Sequence, residues 1–148
     1  MGLLTNEMKN LIDQQKLGYV ATVSPDNTPN LSPKGTISVW DDEHLVFADI
    51  KSPNTIANLE KNPSLEINVV DPITRKGYRF KGTGTILSSG QEYSKIISYY
   101  NNIGIKSKIG RVVLMKVSSV NNVTSPLYDL GYTEEEIKKR WKEYHLSR

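Results

Sequence analysis

Lys51, Ser52, Asn54 and Thr55 crowd into five residues around Pro53, just after the apolar run His44–Ala48. Every one of them can donate a hydrogen bond, and one carries a positive charge. Two kinds of chemistry account for such a group. Ser at an N-cap with Pro at the first helical position starts a helix, here running to Lys61 before Asn62 and Pro63 stop it, with Ile56 and Leu59 on its buried side. A helix start also presents free N–H groups and the positive end of the helix dipole, so the same residues suit an anion, a phosphate above all. There is no glycine-rich phosphate loop, so a nucleoside triphosphate is not the obvious ligand. From the residues alone, both readings stay open.

A second polar group lies upstream in "SPKGT", Ser32–Thr36, where Pro33 and Gly35 break a strand-like stretch and leave backbone groups that no ladder neighbour claims. Lys34 there is either a solvated lysine or an anion ligand. Downstream, Arg79 and Lys81 alternate with Tyr78 and Phe80, so the two cations share one strand face, toward water or toward an anion. Nothing resembles an acid–base pair or a Ser/His/Asp set, and no catalytic residue is assigned. Asp41, Asp42 and Glu43 fall in a turn, and Glu134–Glu136 open a helix, where solvation and the dipole explain them. If the chain is an enzyme, its reactive group comes from a cofactor.

Hairpin rhythm positions these groups. Thr5 caps a first helix, about residues 5–15, carrying Met8, Leu11 and Ile12. Leu17–Val23 reads as a strand, and Leu31–Trp40 as two short extended pieces interrupted at Pro33 and Gly35. His44–Ala48, Ser64–Val70, Tyr78–Leu87 and Arg111–Val120 complete the strands. Gly82 and Gly84 on one face of a strand mark a bend or a close approach. Gln91–Ile103 reads as a helix with Ile96 and Tyr100 on one side. After the loop "VTSPLYDLGY", a last helix, about 133–146, opens with a Thr133–Glu136 capping box and bears a stripe of Ile137, Trp141 and Tyr144. About six antiparallel strands with peripheral helices make a mainly β fold, a small antiparallel barrel flanked by α-helices.

The 148 residues fit one domain, 1–148, and carry a net charge of only +3. With no cysteine and two distant histidines, thiolate and histidine-rich metal sites are not expected, and none is assigned. No run is apolar enough for a bilayer, and the first ten residues lack a secretory pattern, so a cytoplasmic protein without membrane contact is expected. Basic residues interleaved with clustered aromatics, the mark of nucleic-acid binding, are missing too.

The order "GYVATVSPDNTPNLSPKG", "LVFADIKSPNTIANLEKNP", "EINVVDP", "GYRFKGTGTIL" resembles the pyridoxamine 5′-phosphate oxidase-like family of FMN-binding split β-barrel proteins. It covers Leu17 to about Leu87 well and Arg111–Val120 loosely, and "SPLYDLGYTEEEIKKRW" is similar to the tail of small family members. The resemblance implies a split-barrel homodimer with FMN at the subunit interface, acting as an oxidoreductase, with a nicotinamide nucleotide as a candidate electron donor. It implies that Ser32, Pro33, Lys34 and Gly35 border the flavin ring, and that Ala48 and Asp49 lie beside the ring and ribityl chain. Lys51, Ser52, Asn54 and Thr55 would hold the phosphate, with Lys81 and Asn58 as further candidates. Tyr128 and Trp40 are candidates for stacking on the ring. "SPNT" stands where true pyridoxamine phosphate oxidases have an arginine–lysine pair, and their basic C-terminal substrate segment is missing, which leaves the substrate open. The fold also serves flavin carriers and binders of a deazaflavin or haem, so fold alone does not fix the cofactor.

Overall fold

A computed structural model describes residues 2–147. Seven antiparallel strands form one curled sheet, a half-barrel in the order β2-β1-β5-β6-β7-β4-β3. The strands are β1 (Gly18–Val23), β2 (Pro29–Lys34), β3 (Ser38–Val39), β4 (His44–Asp49), β5 (Ser64–Asp71), β6 (Lys76–Leu87) and β7 (Arg111–Thr124). Four helices flank them: α1 (Asn6–Gln15), α2 (Pro53–Lys61), α3 (Gln91–Asn102) and α4 (Glu134–Leu146). The two short extended pieces expected within Leu31–Trp40 correspond to β2 and to the two-residue β3, which pairs with β4 at the sheet edge. Pro33 does not interrupt β2. It pairs with Tyr19 on an edge strand, where a missing N–H costs no ladder bond.

The alternation in β5 is realised, with Leu65, Ile67 and Val69 buried. Together with Val20, Phe47, Phe80 and Met115 they line the inside of the curl, where Ile12 of α1 and Ile56 and Leu59 of α2 pack into it. The unbroken apolar run of β4 has a different reason: the strand is buried on both faces. Leu45 and Phe47 join the inner core, whereas Val46 and Ala48 meet Ile96 and Tyr100 of α3 in a second one. The tail after Val120 is not all loop, since β7 continues to Thr124 and a 3-10 turn spans Pro126–Tyr128. The capping box of α4 is present, yet its apolar stripe is shorter than expected. Ile137 is buried, but Tyr144 lies on the surface with its ring edge against Trp141. Among the described residues, no helix is long and apolar enough to cross a membrane.

Candidate functional site

The end of β2, the end of β4 and the start of α2 converge through a buried lysine. Lys34 shares the inward face of β1 and β2 with Val20, because it pairs directly with Gly18. Only 6% of it remains exposed. Its Nζ donates to Ser32 Oγ at 3.0 Å and to Ser52 Oγ, eighteen residues on. Burial pushes its ionisation below the usual lysine range, and the nearby Asp49 carboxylate partly restores it. Asp49 closes the group from the other side: Oδ1 accepts from Ser52 N–H at 3.2 Å, and Oδ2 lies 3.9 Å from Arg111 Nε. Arg111 is anchored in turn by Glu60, 2.8 Å away at Nη1.

This arrangement corrects the capping reading of Ser52. Ser52 occupies the N-cap position of α2, but its side chain makes no cap hydrogen bond, because its hydroxyl is turned toward Lys34. Pro53 has no N–H, and Ile56 N–H is taken by Ser52 C=O at 3.3 Å. The N–H groups of Asn54 and Thr55 are left without a side-chain cap, at the positive end of the helix.

The remaining candidates divide. Lys51 and Asn54 are exposed at the rim of this helix start, whereas the Thr55 side chain is buried beneath it. Gly35 lies in the turn after β2, and Pro33 points to the outer face with Tyr19. Ala48 is buried, its N–H bound by Thr36 Oγ1 at 3.0 Å. Asn58 is buried, and its amide donates to Thr22 Oγ1 at 3.0 Å and toward Ser24 Oγ at 3.4 Å, fastening α2 to β1. Lys81 is not brought to the group within one chain. It pairs with Glu66 on the outward face, whereas Phe80, Ile67, Val20 and Ser32 form the inward row. Trp40 and Tyr128 are engaged elsewhere, Trp40 Nε1 on Glu92 and Tyr128 Oη on the carbonyl of Thr74. Sequence reasoning placed Thr36 in the polar group Ser32–Thr36 without its side-chain role, and passed over Arg111. A threonine among the apolar residues of "TISVW" and an arginine opening an apolar strand are the signals that mark them.

A family model described as pyridoxamine 5′-phosphate oxidase matches residues 4–121. The chain belongs to the pyridoxamine 5′-phosphate oxidase-like family. Among solved structures, it is similar to a tagged HupZ of Group A Streptococcus, 32% identical with a TM-score of 0.75, covering 83% of this chain and 96% of that one. An FMN-binding protein from Syntrophomonas wolfei shares the fold at 17% identity and TM-score 0.69, over 80% of this chain and 84% of that one. An F420 reductase does so at 17% and 0.61, over 80% and 98%. At that identity the two likenesses concern the fold.

Proposed function

We propose that this protein is an FMN-binding flavoprotein, and that the flavin phosphate sits at the start of α2. The observation that carries this reading is the buried Lys34 ammonium, turned onto Ser52 where no side chain caps the helix. A phosphate monoester matches that donor set: a buried ammonium, two backbone N–H groups, the Asn54 amide and the Lys51 ammonium at the rim. Asp49 is the opposing charge, partly offset by Arg111. The seat is thus less basic than the arginine–lysine pair of the true oxidases, which supports a flavin protein with a substrate other than pyridoxamine phosphate.

When bound, FMN supplies hydride or electron transfer, which suits an oxidoreductase in the cytoplasm with a nicotinamide nucleotide as donor. The chain's own residues do the holding. Lys34 and the α2 start bind the phosphate, the β2 end with Ser32 and Gly35 borders the ring, and Ala48 and Asp49 flank the ribityl side. A second copy of the chain would complete the cleft as a homodimer. Tyr19 and Leu31, 44% and 67% exposed on the outward face of β1 and β2, support that association.

Titration of the purified protein with FMN, followed by quenching of flavin fluorescence, tests the reading. A dissociation constant of about 1 μM or tighter is expected, on the order of −8 kcal/mol. A parallel titration with F420 distinguishes the deazaflavin, and F420 binding without FMN binding would reject FMN. Bleaching of the bound flavin by NADH or NADPH separates an enzyme from a passive carrier.

A further inference from the structure

We propose that Thr36, anchored by Tyr100, is a positioning residue that fixes the spacing between the two strand ends flanking the flavin seat. This role rests on the flavin reading above. β3 pairs only with Leu45 and Val46 of β4, so beyond Val46 that edge of β4 has no strand neighbour. Ala48 N–H points to this open side and is taken by the Thr36 hydroxyl at 3.0 Å, in place of a ladder carbonyl. The carbonyl of Thr36 accepts from Tyr100 Oη at 2.7 Å and from Ser38 Oγ at 3.2 Å.

These bonds close a ring around the seat. Lys34 reaches Thr36 through Gly35, Thr36 holds Ala48, and Ala48 leads to Asp49. Asp49 accepts from Ser52, whose hydroxyl accepts from Lys34. Of the three bonds in that ring, the Thr36 one ties the β2 end to the β4 end, and Tyr100 ties both to α3. Tyr100 is a fixed anchor, its ring wholly buried against Val46, Ala48 and Val112. Burial pushes its ionisation upward, so the hydroxyl keeps its proton and donates. The side-chain bonds of both residues go to the protein's own backbone, Thr36 to Ala48 N–H and Tyr100 to the Thr36 carbonyl. Both act by holding the residues that form the seat.

Three variants and two readouts test the role. Thr36→Val keeps the shape and removes the acceptor, Thr36→Ser keeps the acceptor, and Tyr100→Phe removes the anchor. Hydrogen exchange at the Ala48 amide is followed in the ligand-free protein, and the FMN dissociation constant by fluorescence quenching. Thr36→Val is expected to speed Ala48 exchange and weaken FMN binding by about tenfold each, and Thr36→Ser to restore both to within about twofold. Tyr100→Phe should weaken FMN in the same direction and carries the test if Thr36→Val fails to fold. Ile96→Val, in the same core, is the stability control and should leave FMN affinity unchanged. The proposal is overturned if Thr36→Val binds FMN like the parent, if Thr36→Ser does not rescue, or if Ile96→Val costs as much affinity. A parent chain that takes up no FMN overturns the flavin reading, and this role with it. The first three outcomes leave the flavin reading standing.

Discussion

Lys34 is the buried charge from which a pH dependence of the proposed site is predicted. Its ionisation lies below the ordinary lysine value of 10.5 because the charge is buried, despite the attraction of Asp49. Between the folded and the unfolded value, the unfolded chain binds more protons, so stability rises with pH across that alkaline window. Below the window the cost of the buried charge is present in full. A phosphate dianion favours the charged form and raises its ionisation, so FMN affinity should fall as pH rises above the ligand-free folded value. Titrations at several pH values should show that fall in the parent, and a flat profile with affinity reduced about tenfold or more in Lys34→Met. The Lys34–Ser52 bond predicts a second result. Measured by FMN affinity, Lys34→Met and Ser52→Ala should be non-additive by at least about 0.5 kcal/mol, whereas a helix-capping serine would give additive losses. Residue types in the sequence pointed to both side chains. Their contact spans eighteen positions and needs the β2 end laid against α2, which no local pattern reveals. The N-cap position of Ser52 was legible for the same reason that its bond was not, since position follows from Pro53 and bonding from a distant lysine.

Glycines at alternate positions of β6 looked equivalent in the sequence, and the strand pairing separates them. The ladder to β7 shifts between Lys81 and Gly82, with Ser118 as the extra residue. A Cβ on Gly82 would lie 1.9 Å from the backbone oxygen of Lys116, whereas one on Gly84 would meet the Val113 side chain at 3.0 Å. Backbone cannot give way as a valine rotamer can. Urea unfolding should therefore show a loss of about 3 kcal/mol or more for Gly82→Ala, against about 1 kcal/mol for Gly84→Ala. Equal losses would contradict the bulge as the cause. Most elements were readable from periodicity and caps: Thr5 caps α1, Thr133 and Glu136 box α4, and β5 alternates. The misread parts were those that tertiary pairing decides. Pro33 is tolerated because β2 is an edge, and the end of β7 is strand because β6 is long enough to pair it to Thr124.

On the outward face of β1 and β2, Leu31 and Tyr19 stand exposed in a chain whose inner core is already filled. Light scattering should give twice the chain mass for the parent and a lower mass for Leu31→Asp, since a charge there opposes burial against a second copy. A monomeric parent would contradict the homodimer. Family membership was legible from the order of soft motifs, none of them decisive alone, because order records which strands and turns follow one another. The composition of the seat was only half legible, because Thr36, Arg111 and Tyr100 act through contacts between elements far apart in the chain. FMN binding by the parent chain is the most direct test of the whole account. Saturable quenching of flavin fluorescence at about 1 μM or below, weakened by Lys34→Met, is the predicted result. An absence of FMN uptake, or an affinity that Lys34→Met leaves untouched, would contradict it.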